Sequence, residues 1–391
     1  MIFYDFEVFK FDWLVVCVDM VKKTEHVIIN NPAELRELYE QNIRNIWVGF
    51  NNRHYDQYIM KGILLNLDPK KINDWIIVRK KEGWQFSGAF NKVPMINYDV
   101  MPNPPVGLKT MEGFLGSNIK ETEVPFDIDR PLTQQEIDQT VFYCRHDVEE
   151  TIKVFMQTVD TFEAMHGIIQ AFPDMVSLSN IGDSEARITA KVLGCCKKEW
   201  DDEFEFFFLP CIQLKKYKCV QEWFEQKRQE ALNLGVQQYS DNEKRAWYKT
   251  QSFKITVAGI PHTFGFGGLH GAAEKPVHFK GALYHVDVNN YYPSMLIAWQ
   301  LVTRSATNDN YTKVYKTRKA LKYKQTHAST KIEAKKWKKA QLPYKKMLNA
   351  LSGGMKDKTN AAYDPRNNNC MCINGQLMLL DLIEHLEVIP E

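Results

Sequence analysis

Acidic residues whose spacing suits metal-assisted chemistry stand near the amino terminus of this 391-residue sequence. Asp5 and Glu7 are alternate residues of a β-prone run that starts at Ile2, so both side chains point to the same face of a strand. Two carboxylates side by side on a buried strand repel each other and are costly to desolvate unless a cation lies between them. The pair therefore predicts either a metal site or, alternatively, a half-exposed strand with solvated acids.

Two further acids extend this candidate site. Asp56 follows a strand-like run, 46–50, and can either ligate a metal or cap a helix. Tyr143 and Asp147 are four residues apart and share one face of a helix, although such a pair alone is commonplace and usually structural. Taken together, four carboxylates from separate elements can converge on two Mg²⁺ or Mn²⁺ ions. Two metal ions held in this way activate a water molecule and stabilise the leaving oxygen of a phosphodiester.

A second candidate centre surrounds Asp287. The run 283–288 predicts a strand with Asp287 near its end, and Pro293 predicts the first position of the helix that follows. An acid on a strand beside a helix start suits a Mg²⁺ ion that is held by carboxylate and by the phosphates of a nucleotide. The alternative interpretation is a turn acid after a buried strand, with packing roles for the residues around it.

Basic residues crowd the helix-prone segment 311–346, in which Glu333 is the balancing acid. Arg318 and Lys322 are four residues apart, so they share a helix face, as a pair that binds a triphosphate would. Uncompensated positive charge of this kind favours an anionic ligand. A solvated, lysine-rich helix pair is the alternative.

A similar pair lies at the end of this basic segment. Lys345 and Asn349 share a helix face, and Gly353 with Gly354 predicts the end of that helix. A final amphipathic helix is predicted over 375–387.

The sequence also predicts helices and strands, including those that carry the amino-terminal acids. Thr133 and Glu136 have the spacing of a capping box, which predicts the start of a long helix that carries Tyr143 and Asp147. Further helices are predicted over 108–115, 184–193 and 219–234. Strands are predicted over 2–8, 13–18, 46–50, 96–100 and 252–258.

Composition limits the class of protein. The sequence is 44% hydrophobic and 25% charged, as in ordinary globular proteins, and no run approaches the roughly 18 apolar residues of a membrane span. The eight cysteines form no CxxC pair, which favours reduced thiols over a zinc site. The amino terminus has no basic leader. We therefore expect a cytoplasmic protein that does not contact a membrane, in the host cytoplasm if the source is a virus.

The patterns Asp-x-Glu, Asn-x-x-x-Asp and Tyr-x-x-x-Asp resemble the three exonuclease motifs of DEDD proofreading exonucleases in their tyrosine subclass. The resemblance implies a ribonuclease H-like domain in which Tyr143 orients the attacking water and Asn52 contacts the DNA strand. Phe142 stands where the other subclass has its catalytic histidine, so His146 is not expected to be catalytic. Lys109 is a further candidate for contact with a single strand. The implied metal ligands are Asp5, Glu7, Asp56 and Asp147.

The string Asp-Val-Asn-Asn-Tyr-Tyr-Pro-Ser, which begins at Asp287, resembles palm motif A of family B DNA polymerases. The resemblance implies that Asp287 holds both catalytic metals and that Tyr292 stacks under the incoming sugar as a steric gate. The string that begins at Lys345 resembles motif B of the same enzymes. There Lys345 would bind the phosphates of the incoming nucleotide, and Asn349 would line the site over the nascent base pair.

The run 264–271 resembles the Tyr-x-Gly-Gly linker motif of the same family, with Gly265 in the tyrosine position. The resemblance implies that Gly267 and Gly268 help to place the DNA between the two active sites. From the residues alone, the glycines predict either a close approach to another backbone or a phosphate, or a tight hairpin.

We therefore expect an α/β protein that corresponds to the front part of a phage-like, replicative family B DNA polymerase. Its expected partners are a primer–template, single-stranded DNA and dNTPs. Because no Asp-x-Asp motif C follows Asp287, a second polypeptide would supply motif C and the thumb, and we expect 3′–5′ exonuclease activity with poor primer extension by this chain alone. The alternatives are a non-catalytic DNA-binding remnant and a stand-alone exonuclease.

The expected regions are an exonuclease domain (1–164), a connecting helical region (165–250), a palm start (251–310), helical fingers (311–360) and a return to the palm (361–391).

Overall fold

The computed structural model describes residues 1–120 and 123–387. The chain divides into two compact units, Met1–Asp183 and Ser184–Glu391. The expected α/β class is confirmed, because the helices occur together with a five-stranded mixed sheet. Within the described ranges, no helix combines the length and the apolar character that crossing a bilayer requires.

The first unit is built on the five-stranded sheet, whose strand order is β3-β2-β1-β4-β5. β1, β2 and β3 pair in antiparallel fashion, whereas β4 lies parallel to β1 and β5 lies parallel to β4. The four strands predicted in this unit are confirmed to within one residue. The strands are β1 (Ile2–Val8), β2 (Trp13–Asp19), β3 (Thr24–Ile29), β4 (Ile46–Gly49) and β5 (Ile96–Asp99).

β3 was not predicted from the sequence. Its first residues, Thr24 and Glu25, are exposed, and the strand lies at the edge of the sheet. Its backbone hydrogen bonds come from β2, so pairing stabilises a segment whose apolar pattern is weak.

The two faces of β1 serve different purposes. Ile2, Tyr4 and Phe6 enter a hydrophobic core with residues of the first two helices. Asp5 and Glu7 occupy the alternate positions, and the long helix α5 packs along β1. The helices of this unit are α1 (Pro32–Gln41), α2 (Asp56–Leu64), α3 (Pro69–Asn73), α4 (Leu108–Leu115) and α5 (Gln134–Ala171).

The predictions for α4 and for the start of α5 are confirmed. The hydroxyl of Thr133 accepts a hydrogen bond from the Glu136 backbone N–H, and the Glu136 carboxylate accepts one from the Thr133 N–H, which completes the capping box. α5 continues without interruption to Ala171, so it passes the expected domain boundary after residue 164.

The second unit is mostly helical and carries a small sheet. The predicted helices over 184–193 and 219–234 and the predicted strand over 252–258 are confirmed with small shifts of their ends. The elements are α6 (Glu185–Val192), α7 (Lys218–Leu234), α8 (Asp241–Thr250), β6 (Ser252–Val257), β7 (Ile260–Gly265), β8 (His270–Gly271), α9 (Tyr291–Ala298), α10 (Asn310–Thr326), α11 (Lys331–Lys356) and α12 (Pro365–Leu386).

The glycine run after β7 forms a hairpin connection. β7 pairs in antiparallel fashion with β8, and the four residues 266–269 join the two strands. A separate two-residue turn joins β6 to β7 through Ala258 and Gly259, both of which have positive φ angles. The hairpin interpretation of the glycine run therefore agrees with the backbone.

The predicted strand over 283–288 is wrong. These residues form no strand, and they are exposed from end to end. β-prone residues become a strand only when a neighbouring strand supplies hydrogen bonds, and none of the described strands pairs with this segment. The following helix, α9, begins at Tyr291, so Pro293 is its third residue rather than its first.

The predicted helix end at Gly353 and Gly354 is also wrong, since α11 continues to Lys356. Gly354 and Met355 are buried. A Cβ atom added at Gly354 would lie 3.4 Å from the side chain of Asn360. Packing therefore compensates the roughly 1 kcal/mol that a helical glycine costs relative to alanine.

The final helix begins ten residues earlier than predicted. Asp364 caps α12 by accepting a hydrogen bond from the Asn367 N–H at 3.2 Å, and Pro365 is the first helical residue. This Asp-Pro pair is a helix-start signal in the sequence that we missed, because the asparagines that follow it carry little apolar periodicity.

Candidate functional site

The amino-terminal acids are carried by three neighbouring elements of the first unit. Asp5 and Glu7 belong to β1, Asp56 is the first residue of α2, and Asp147 lies on α5. Asp5 keeps some exposed surface, whereas the other three acids are buried. Ligand atoms of Asp5, Glu7 and Cys144 all lie within 4.8 Å of one another. The first unit therefore has a carboxylate cluster that can hold a metal ion.

Asp56 is held by the backbone of β1. Its Oδ1 accepts a hydrogen bond from the Phe6 N–H at 3.1 Å, between the two acids of that strand. Asp56 does not cap α2, because Tyr55 occupies the N-cap position and no side chain makes a capping hydrogen bond there. The carboxylate therefore joins α2 to β1.

Burial and mutual repulsion raise the pKa values of these carboxylates. Burial raises the pKa of Asp5 well above its ordinary value, and the carboxylates around it raise it further. Burial raises the pKa of Glu7 to about 8 and that of Asp56 to about 7. Because adjoining negative charges disfavour one another in a buried site, the cluster has a strong electrostatic demand for a cation.

A lysine and a further acid complete the surroundings of Asp147. Lys109 Nζ donates hydrogen bonds to Asp147 Oδ1 at 2.6 Å and to Glu112 Oε1 at 2.9 Å. Burial raises the pKa of Asp147, and the hydrogen bond from Lys109 opposes that rise. Glu112 was missed by the sequence analysis. The only signal for it is that Lys109 and Glu112 are three residues apart on a short helix.

Tyr143 lies one helical turn before Asp147 and is half-buried. Lys109 Nζ lies 4.7 Å from the centroid of the Tyr143 ring, so the tyrosine belongs to the same group of side chains. Burial raises the pKa of the Tyr143 hydroxyl, and Asp147 raises it further, so the hydroxyl is protonated at neutral pH. Phe142 is exposed on the same helix.

Asn52 is fully buried. Its amide nitrogen donates to Asn97 Oδ1 at 2.8 Å, which ties the segment after β4 to β5. The expected contact between Asn52 and DNA stays a prediction, and in this conformation the side chain serves the packing of the sheet.

The polymerase-like candidates lie in the second unit. Asp287 is exposed in the irregular segment that precedes α9. The turn after it, Asn289 and Asn290, contacts α10: Lys322 Nζ donates to Asn289 Oδ1 at 2.8 Å, and Arg318 donates to Asn290 Oδ1. The predicted basic pair is therefore brought to the turn that follows the predicted acid.

Tyr292 is partly exposed on α9 and packs against α12. A side chain in place of Gly375 would lie 2.9 Å from the Tyr292 ring, so this glycine makes room for the tyrosine. The hydroxyl of Tyr291 donates to the Gly375 carbonyl at 2.6 Å. Lys345 and Asn349 are both exposed on α11, as their shared helix face predicted.

Gly267 and Gly268 line a cavity of about 710 Å³ in the second unit. The Gln376 amide holds their loop by donating to the Gly267 carbonyl at 2.9 Å. Arg245 and Lys249 also line the cavity, which gives it basic side chains.

Comparison with protein-family models finds none that matches this chain, and no curated protein matches it either. Functional conclusions therefore depend on the geometry of the two units.

Proposed function

We propose that the first unit is a metal-dependent 3′–5′ exonuclease that hydrolyses terminal phosphodiester bonds of DNA. The observation that carries this proposal is that three carboxylates, from β1, α2 and α5, lie close enough to act on the charge of the partly exposed Asp5: those of Glu7, Asp56 and Asp147. Structural acids in a hydrophobic core are normally paired with cations, whereas here burial and mutual repulsion raise the pKa of Asp5 and of Glu7.

The donor set fits Mg²⁺ or Mn²⁺. Carboxylate oxygens are the ligands that these ions prefer, and Asp5, Glu7, Asp56 and Asp147 would hold two of them. When bound, the ions activate a water molecule and stabilise the leaving oxygen. The hydrogen bond from Phe6 orients Asp56.

Tyr143 and Lys109 would serve the same site. Because its pKa is raised, the Tyr143 hydroxyl keeps its proton and can donate a hydrogen bond that orients the attacking water. The Lys109 ammonium orients Asp147 through their 2.6 Å hydrogen bond.

The strand order also supports a ribonuclease H-like domain. A central first strand, with an antiparallel meander on one side and parallel strands on the other, places the acids of β1 in the middle of the sheet. The helix that carries Asp147 packs on β1, and its Cys144 contacts the Asp5 side chain.

We further propose that the second unit binds a nucleotide as part of a family B DNA polymerase. The observation that favours this is the contact of Arg318 and Lys322 with the Asn289–Asn290 turn, next to Asp287. Cations beside a single acid suit a Mg²⁺-bound triphosphate. A further carboxylate would complete that site.

The proposed exonuclease is tested with 5′-labelled single-stranded DNA and the full chain in Mg²⁺. We expect stepwise shortening from the 3′ end that EDTA stops. Asp147→Asn should reduce the rate at least about 100-fold, since losing a ligand should cost more than the 10–100-fold of an outer-shell change. Glu149→Gln, an exposed acid two residues along the same helix, is the matched control.

The alternatives are distinguished when DNA binding and nucleotide binding are measured beside this assay. DNA binding without product, unaffected by Asp5→Asn, would indicate a binding protein and would overturn the enzymatic proposal. Shortening of DNA without any nucleotide binding by the second unit would indicate a stand-alone exonuclease.

A further inference from the structure

A second group of potential ligands lies beside the proposed exonuclease centre, between α4 and α5. It consists of Glu112, His146 and Asp147, whose ligand atoms all lie within 4.8 Å of one another. Glu112 is 0% exposed and His146 is 8% exposed. The group therefore combines two carboxylates and an imidazole in a site from which water is largely excluded.

Two polar atoms of this group face each other without bonding. Glu112 Oε2 and His146 Nε2 are buried, and neither has a hydrogen-bond partner among the described residues. They lie 3.6 Å apart, beyond the 2.7–3.2 Å range of N–H···O hydrogen bonds. Unsatisfied buried atoms are rare, and an ion that lies between them is one of the standard explanations.

The separation agrees with two ligands of one metal ion. Imidazole nitrogen and carboxylate oxygen bind Zn²⁺ at roughly 2.0–2.2 Å, so tetrahedral geometry puts neighbouring ligand atoms about 3.4 Å apart. The observed 3.6 Å is close to this value. A carboxylate oxygen of Asp147 lies within reach as a third ligand.

Lys109 supplies the positive charge of the cluster in the structure. Its Nζ bridges Glu112 Oε1 and Asp147 Oδ1, while 27% of its side chain is exposed. A flexible side chain with exposed surface can move toward solvent and leave both carboxylates to a divalent ion.

We propose that Glu112, His146 and Asp147 form a site for a first-row transition-metal ion, and that Zn²⁺ is the preferred ion. The ion binds when Lys109 moves aside. Nitrogen ligands favour Zn²⁺ over Mg²⁺, which prefers oxygen ligands and retains its water. The site therefore offers an imidazole nitrogen, which the neighbouring group of Asp5, Glu7 and Cys144 lacks.

Asp147 belongs to both groups, which gives Zn²⁺ binding a functional consequence. An ion held by Glu112 and His146 draws the Asp147 carboxylate away from the exonuclease centre, so Zn²⁺ inhibits the Mg²⁺-dependent reaction. This consequence rests on the proposed exonuclease function, whereas the binding of the ion does not.

The site is tested on the full chain with Co²⁺, whose visible absorption reports nitrogen and oxygen ligation, followed by displacement with Zn²⁺. We expect binding of one ion at this site, with affinity at least tenfold weaker in His146→Gln and in Glu112→Gln. Asp5→Asn should retain the absorption, which separates this site from the neighbouring cluster. Lys109→Met should bind more tightly, because the competing ammonium is gone.

Imidazole NMR of the unmodified protein provides a second measurement that does not depend on the folding of any variant. Zn²⁺ should shift the Nε2 resonance of His146. Unchanged His146 resonances at saturating Zn²⁺, or equal Co²⁺ affinity in the wild type and His146→Gln, would overturn the proposal. Since binding is measured without DNA, the exonuclease proposal can fail while this one stands, and the reverse also holds.

Discussion

The Asp56 carboxylate accepts a hydrogen bond from the Phe6 backbone N–H, and this contact places an acid of α2 beside the two acids of β1. Phe6 itself points into the hydrophobic core on the other face of the strand. The core therefore fixes the N–H that orients Asp56, while the opposite face of the strand presents Asp5 and Glu7.

In EDTA, the first unit should lose stability as the pH rises from about 5 to 8. Burial raises the pKa of Glu7 to about 8 and that of Asp56 to about 7 in the folded state. The folded protein therefore binds more protons than the unfolded chain in this range. The stability that Glu7 and Asp56 contribute is fully present below their ordinary pKa and is lost as the pH rises through their raised pKa values. One pKa unit corresponds to about 1.4 kcal/mol, so we expect a loss of a few kcal/mol.

The measurement is urea-dependent hydrogen exchange of peptides from β1, which reports on this unit alone. Asp5→Asn should reduce the pH dependence, because it removes one of the repelling charges, whereas Glu149→Gln should not. Stability that rises with pH in EDTA would contradict the raised pKa values.

Lys109→Met should destabilise the first unit in EDTA by about 1–3 kcal/mol. The substitution leaves the fully buried Glu112 carboxylate and Asp147 without their cation. The same exchange experiment, read on peptides of α4 and α5, measures the change. Lys92→Met, at an exposed position, should change stability by less than about 0.5 kcal/mol. Equal effects of the two substitutions would show that the Lys109 contacts contribute nothing.

Arg304→Leu should destabilise the second unit by about 3–5 kcal/mol. The guanidinium bonds to Asp364, which is fully buried and caps α12, and to Asp202 at 2.6 Å. Removing it leaves a buried carboxylate without its cation. Hydrogen exchange of α12 peptides measures the loss.

The control for Arg304 is an exposed ion pair in the same unit. Lys313 and Asp309 are 3.3 Å apart, and both side chains are mostly exposed. Lys313→Leu should therefore cost less than about 1 kcal/mol. If this variant is as destabilised as Arg304→Leu, burial of Asp364 is not the cause.

Arg318→Ala should weaken binding of a dNTP with Mg²⁺ about tenfold, because it removes one charge-assisted contact to the phosphates. Isothermal titration calorimetry with the full chain measures the affinity. Lys319→Ala, an exposed neighbour on another face of α10, should have little effect. Equal loss in both variants would indicate non-specific attraction, and no binding by the wild type would contradict the nucleotide-site proposal.

Local features of this chain could be predicted from the sequence. Strand alternation put Asp5 and Glu7 on one face, and the capping box at Thr133 set the start of α5 and hence the shared face of Tyr143 and Asp147. These features depend on neighbours within a few residues. Local stereochemistry therefore fixes which side chains share a face once the strand or the helix has formed.

Other features were decided only by the tertiary structure. Glu112 becomes part of a metal-binding group because α4 packs on α5, and no short-range pattern marks that contact. The segment 283–288 has β-prone residues but no strand beside it, while Gly354 stays helical because it is buried. The contacts of Glu112, and the neighbouring strand that 283–288 lacks, involve residues distant in sequence, whereas Gly354 depends on the packing of its helix face. Such partners are known only when the chain has folded.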